Sequence, residues 1–272
     1  MLIRAGYEIR FETPTPTAML ALLSIHPTRH KDLQTPQRIT ASPDVPMYNY
    51  EDAFGNVCSR LTVPEGGVTL SCDFVIADDG LLDVRAPDGP QMPVEQLPDD
   101  LMIFLLGSRY CETDRLMDVA WAEFAEIPTA RGRVEAIVAF VHNHISFGYE
   151  HARSDKTAWN AYQERQGVCR DFAHLAITLC RCLNIPARYC TGYLGDIGVP
   201  IDPAPMDFSA WFEVYLDHKW WAFDARNNMP RIGRILMATG RDAADVAFLT
   251  SFGTSTLTNF FVVSEEVPET TV

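Results

Sequence analysis

The stretch from Gly167 to Tyr193 has the most regular hydrophobic pattern of the chain. Its first half keeps apolar residues at helical spacing, which predicts a buried amphipathic helix that presents one face to the core; these residues are Phe172, Leu175, Ala176, Leu179 and Leu183. Asn184 and Pro186 end the helix, because proline cannot donate the next backbone hydrogen bond. Residues 188–194 then predict a strand.

Apolar and polar positions alternate in the first part of the chain, which is typical of half-buried strands. Residues 4–12 and 68–76 alternate in this way. Two further strands flank the turn-forming residues 52–56, which predicts a hairpin. The sequence therefore predicts an antiparallel β-rich domain over residues 1–95.

Four prolines between residues 86 and 98 predict a linker, and helical patterns follow it. Helices are expected from Thr113, after Pro128 and over 157–166, each with an apolar face. Beyond residue 205, alternation predicts two strands around an Asp217–His218 turn, then a short helix over 241–247 and a last strand over 259–264. Helices followed by antiparallel strands make 96–272 an α+β domain.

Composition narrows the classes of function. The chain has 272 residues and a net charge of −14, which disfavours nucleic acid and anionic membranes as partners. Seven cysteines without paired spacing favour reduced thiols over disulfides, and no zinc site or other cofactor is expected. No apolar run is long enough to cross a bilayer and no signal peptide is visible, so a cytoplasmic location is the expectation.

Cys169 stands apart from the other cysteines because it falls in the first turn of the predicted central helix. Free backbone N–H groups and the helix dipole favour negative charge there. A thiol at such a position is expected to have a lowered pKa and to act as a nucleophile. Cys180, Cys182 and Cys190 are expected to be packing residues.

The sequence Gly-Val-Cys-Arg-Asp-Phe-Ala-His from Gly167 resembles the core of the bacterial transglutaminase-like superfamily, and the similarity continues through the motifs 210–215 and 221–224. The resemblance implies a papain-like core with an N-terminal β region. It also implies Cys169 as nucleophile, Asp224 as a triad member and Trp211 as a substrate-binding residue. Where the family motif reads His-Ala-Trp, this chain has Ser209.

A hairpin centred on Asp217 and His218 would set Trp211 opposite Asp224, and position 209 diagonal to Asp224 at roughly 7–8 Å. A histidine at 209 could therefore take the proton of Cys169 while Asp224 oriented it. Serine cannot do this, since its hydroxyl does not accept a proton near neutral pH. His174 lies roughly 140° around the helix from Cys169 and is expected to be a core residue.

Two hypotheses follow. In one, the protein carries out cysteine-dependent amide or acyl chemistry on a peptide or protein, with water or an amine as acceptor. In the other, the missing histidine leaves a catalytically impaired family member that binds peptides or proteins in the same cleft. The sequence sets neither the substrate nor the oligomeric state.

Overall fold

A computed structural model describes residues 1–268, and over that range the chain forms four α-helices and fourteen strands. The strands of the first part are β1 (Leu2–Glu12), β2 (Thr17–Ala21), β3 (Thr40–Ser42), β4 (Met47–Glu51), β5 (Val57–Val63) and β6 (Val68–Ala77). The middle part holds α1 (Thr113–Phe124), α2 (Ala130–His144), β7 (Ser146–Phe147), α3 (Ala158–Glu164), β8 (Gln166–Gly167) and α4 (Cys169–Cys182). The last part holds β9 (Ala187–Tyr193), β10 (Ser209–Leu216), β11 (Lys219–Phe223), β12 (Ile235–Gly240), β13 (Leu249–Ser251) and β14 (Thr256–Glu266).

The β-rich part consists of two antiparallel sheets with strand orders β14-β1-β6-β3 and β13-β2-β5-β4. The predicted hairpin is confirmed, since Glu51 pairs with Val57 across its turn. Strands β1 and β6 pair from Leu2–Ala77 to Phe11–Val68. Their inward residues are buried, as the alternating pattern predicts, and the result is a β core.

Both β-rich sheets also contain strands from the C-terminal end of the chain. Strand β14 pairs with β1 from Ile3–Glu266 to Glu12–Thr256, and β13 pairs with β2. The N-terminal sequence therefore does not build these sheets alone. A domain boundary near residue 95 stays a prediction.

The proline-rich linker lies against the helices. Ala86 is buried and its carbonyl accepts a hydrogen bond of 3.0 Å from Arg131 Nη1. The Gly89 carbonyl accepts from the N–H of Ala130 at 3.0 Å, and Gln91 Nε2 donates to the Leu183 carbonyl at 2.8 Å. These contacts fix the linker on the α+β core.

Helix α4 is the centre of that core. It is buried from Asp171 to Cys182 and packs on the sheet β11-β10-β9-β12 and on the other helices. This confirms the predicted buried helix. The helix expected over 241–247 was wrong, because Asp242 and Asp245 accept hydrogen bonds from nearby N–H groups and hold the segment in turns.

Candidate active site

A cleft of about 770 Å³ lies where the start of α4 meets the strands β9 and β10. The loop between those strands, residues 194–208, lines one part of it, and residues 243–248 line another. Cys169 and Ser209 both line the cleft. Its wall mixes tyrosines, arginines, aspartates and apolar residues, so it suits a partly polar, partly apolar chain such as a peptide.

The start of α4 is fixed by Asp171. Its Oδ2 accepts a hydrogen bond of 2.9 Å from the N–H of Val168, the residue before the helix. Gly167 makes room for this arrangement, since a Cβ there would lie 2.6 Å from the same oxygen. Burial raises the pKa of the Asp171 carboxyl, which the backbone N–H of Val168 partly offsets. This pair places Cys169 as the first residue of α4, at the cleft wall.

The Cys169 thiol differs electrostatically from the expectation. Burial, followed by the negative charge of Asp207, raises its pKa to about 11. The N–H of Ala210 and the charge of Arg226 act in the opposite direction but do not compensate. The lowered pKa expected from the helix start was wrong, because desolvation of the thiolate outweighs the helix terminus.

Ser209 begins β10 and pairs with Gly192 of β9. It lines the cleft together with Cys169 and directly precedes Ala210, whose backbone N–H lowers the pKa of the Cys169 thiol. The predicted hairpin register is confirmed, since Phe212 pairs with Phe223 and Leu216 with Lys219. A histidine at position 209 could accept the proton of the Cys169 thiol, whereas the hydroxyl of Ser209 does not accept a proton near neutral pH.

Asp224 follows directly after β11 and is buried away from the cleft lining. Its carboxylate accepts from Arg234 Nη2 at 2.9 Å and from the backbone N–H and side-chain amide of Asn227 at 2.9 and 2.8 Å. Arg234 also pairs with Asp83 at 2.8 Å. Asp224 is thus already engaged in a buried ion-pair network, with one of its four acceptor positions left.

Trp211 is buried as well, and the guanidinium of Arg234 lies 5.2 Å from its ring centre. The ring supports Arg234 and does not line the cleft, and a direct contact between Trp211 and a substrate stays a prediction. Trp211 lies on the face of β10 opposite to Ala210, Phe212, Val214 and Leu216, which belong to the core around α4.

No histidine lines the cleft, although all seven fall within the described residues. His174 is fully buried between the rings of Tyr110 and Tyr189, each 5.0 Å away. Its Nε2 accepts from the N–H of Ala243 at 3.1 Å, and burial lowers its pKa well below the usual value. His174 is a neutral packing residue beneath two cleft tyrosines, as the sequence predicted.

Three cleft residues escaped the sequence reasoning: Tyr149, Asp207 and Arg226. Asp207 lies on the cleft wall, and desolvation of its carboxyl raises its pKa, against the smaller effects of the Phe208 N–H and the charge of Arg226. Each of the three stands in a segment without regular periodicity. Asp207 and Arg226 are close in sequence to Ser209 and Asp224, but nothing in the sequence marks Tyr149.

Within residues 1–268, no group of three or more histidine, cysteine, aspartate or glutamate side chains is arranged to hold a metal ion. None of the described helices has both the length and the apolar character that crossing a bilayer requires.

Known proteins resemble the chain in sequence and in fold. Residues 120–225 match the sequence profile of the transglutaminase-like superfamily. The crystal structure of "a Putative Cysteine Protease from Cytophaga hutchinsonii" is 30% identical with a TM-score of 0.82, covering 99% of this chain and 92% of that one. An uncharacterized protein of Mycobacterium tuberculosis strain H37Rv is 30% identical over 227 residues, covering 72% of this chain and 68% of the relative. An uncharacterized protein of Mycobacterium leprae is 23% identical over 223 residues, covering 77% of each chain. By sequence and by fold, this chain belongs to the transglutaminase-like superfamily.

Proposed function

We propose that the cleft carries out cysteine-dependent amide or acyl chemistry on a peptide or protein, with Cys169 as the nucleophile. One observation carries this proposal. Cys169 is the single cysteine of the seven that is not buried, and it stands at the start of α4 on the cleft wall. Cys169 is only partly exposed, but its place on the cleft wall lets a substrate carbonyl approach it, whereas the six other cysteines are buried.

In the proposed reaction the Cys169 sulfur forms a bond to the carbonyl carbon, and the carbonyl electrons move to oxygen. The N–H of Cys169, which has no partner within the helix, faces the developing negative charge. Collapse then breaks the C–N bond, and the leaving amine takes the thiol proton. Attack on the thioester by water or a second amine releases an acid or a new amide and restores the thiol.

Burial of the Cys169 thiol and the charge of Asp207 limit the rate near neutral pH. A pKa of about 11 leaves Cys169 almost entirely protonated at pH 7, and neither Ser209 nor any histidine supplies a base at the cleft. We therefore expect slow turnover that increases with pH as the thiolate fraction grows.

The test restores the missing base. In Ser209→His the imidazole would lie beside Cys169, and it should raise hydrolysis of activated amides or esters by about a hundredfold or more near pH 7. Ser209→Gln is the matched control, because its side chain has similar size but accepts no proton. The gain should disappear in Ser209→His combined with Cys169→Ala. Turnover that is unchanged by Cys169→Ala in every background would contradict the proposal.

A second candidate is a cleft that binds peptides without turnover, favoured by the absence of any histidine from its lining. Under this alternative, Ser209→His brings no gain and peptides bind equally well to the wild type and to Cys169→Ala. The expected cytoplasmic location and the exclusion of nucleic acid and membranes as partners stay predictions.

A further inference from the structure

Arg226 differs from the other arginines of the cleft in its pairing. Arg153 pairs with Asp155 at 3.1 Å and with Glu164 at 2.8 Å, and Arg170 lies 3.5 Å from Asp171. Arg226 also lines the cleft, but within residues 1–268 no carboxylate lies within 4 Å of its guanidinium. In a chain with a net charge of −14, a cleft guanidinium without a carboxylate is available to a ligand.

The position of Arg226 is fixed by its neighbours. His142 Nδ1 lies 2.8 Å from the Arg226 carbonyl, which anchors the backbone. The guanidinium lies 4.0 Å from the ring centre of Phe147. The same ring packs edge-on against Tyr149 at 5.1 Å, so one aromatic side chain supports both Arg226 and Tyr149. A guanidinium held in this way loses little conformational freedom when it binds a planar anion.

Arg226 and Tyr149 act in the part of the cleft that contains the nucleophile. The charge of Arg226 lowers the pKa of Cys169, of Asp207 and of Tyr149, so all three are within its electrostatic reach. Burial raises the pKa of Tyr149 more than Arg226 lowers it, and its hydroxyl therefore keeps its proton and can donate.

The rest of the cleft disfavours negative groups. Asp196, Asp202 and Asp207 line it from the loop between β9 and β10, and none of them pairs with Arg226. An anionic group in the cleft is therefore repelled by the aspartates, and Arg226 beside Tyr149 is the cleft guanidinium that has no carboxylate partner among the described residues. Two parallel N–H groups of a guanidinium match the two oxygens of a carboxylate.

We infer that Arg226, with the Tyr149 hydroxyl, receives a carboxylate of the substrate, so that the cleft selects peptides with a carboxylate near the bond attacked by Cys169. The carboxylate comes from the C-terminus of the peptide or from an acidic side chain. This inference rests on the proposed function and specifies its substrate class.

The experiment measures binding in the Cys169→Ala chain, where turnover does not interfere. The probes are dansyl-Gly-Ala-Phe-Ala with a free carboxylate or a carboxamide, and dansyl-Gly-Glu-Phe-Ala amide or dansyl-Gly-Gln-Phe-Ala amide. Fluorescence anisotropy should show about tenfold or more tighter binding of one carboxylate probe than of its neutral partner. The pair that shows the preference identifies the source of the carboxylate.

Arg226→Gln should abolish the preference, and Arg226→Lys should retain part of it, because a point charge replaces a bidentate donor. Arg153→Gln removes an equal charge from the cleft rim and should leave the preference intact. Equal binding of all four probes, no binding of any, or a preference that survives Arg226→Gln would overturn the inference. Such a result would leave the Cys169-dependent turnover of the wild type unaffected, so the two proposals fail separately.

Discussion

Two charged side chains of opposite sign act on the Cys169 thiol. Asp207 is the largest charged contributor to its raised pKa, and Arg226 acts against it. Both side chains belong to loops that line the cleft. The balance between them, together with burial, decides whether this cysteine is a nucleophile at a given pH.

Asp207→Asn removes the negative charge beside the thiol. The pKa of Cys169 should fall from about 11, and alkylation by iodoacetamide at pH 8 should become roughly three to ten times faster. In the wild type the alkylation rate should rise about tenfold per pH unit from pH 7 to 10, because only the thiolate reacts. Mass mapping of the labelled cysteine would measure both rates.

Asp202→Asn is the control, since Asp202 lies on the same loop but is not among the main charges acting on Cys169. Slower alkylation in Asp207→Asn would mean that Asp207 accepts the thiol proton and that its charge favours the reaction. An equal acceleration in both variants would assign the effect to the loop as a whole.

The cap at the start of α4 fixes the position of the Cys169 thiol. Asp171→Ala removes the acceptor of the Val168 N–H, which should cost about 1 kcal/mol of the free energy of unfolding. A looser helix start also exposes Cys169. Since burial is the first cause of its raised pKa, alkylation should become faster.

The control is Thr157→Ala, because Thr157 precedes α3, caps its start by accepting the N–H of Asn160, and does not line the cleft. Its stability loss should be similar, at about 1 kcal/mol, with no change in the reactivity of Cys169. Asp171→Asn keeps an acceptor oxygen and should lie between the wild type and Asp171→Ala. Equal reactivity in all three variants would show that the cap does not position the thiol.

Local patterns predicted the elements that carry the candidate nucleophile. The period of 3.6 residues revealed α4, and the alternation around Asp217 and His218 revealed the hairpin with its register. The turn at 241–247 was not predicted. The carboxylates of Asp242 and Asp245 accept hydrogen bonds from backbone N–H groups there and so compete with the hydrogen bonds of a helix, which the hydrophobic pattern does not reveal. Asp207 could not be predicted as a neighbour of Cys169, because only the closed fold brings its loop to the start of α4.

Strand β1 pairs with β14 and so joins the two ends of the described chain. A local hydrophobic pattern cannot predict a pairing between segments so far apart in sequence. The hydrophobic core on the inner face of β1 and β6 also takes in Tyr193 of β9 and Ile235 of β12. Phe208, next to the cleft residues Asp207 and Ser209, packs against Phe260 of β14 at 5.8 Å. The β-rich sheets therefore share a hydrophobic core with strands β9 and β12 of the α+β part.

This arrangement predicts that damage to β14 destabilises the whole molecule. Val262 is 3% exposed and faces the shared core, whereas its neighbour Phe261 is 57% exposed. Val262→Asp would bury a carboxylate without a partner and should lower the melting temperature by roughly 5–10 °C. Phe261→Asp places the same charge in solvent and should shift the melting temperature little.

All five tryptophans lie between residues 121 and 221, so their fluorescence reports on the α+β core alone. In Val262→Asp, the fluorescence transition and the far-ultraviolet dichroism transition should move down together. A dichroism transition that moves alone would show that the β-rich sheets unfold as an independent domain.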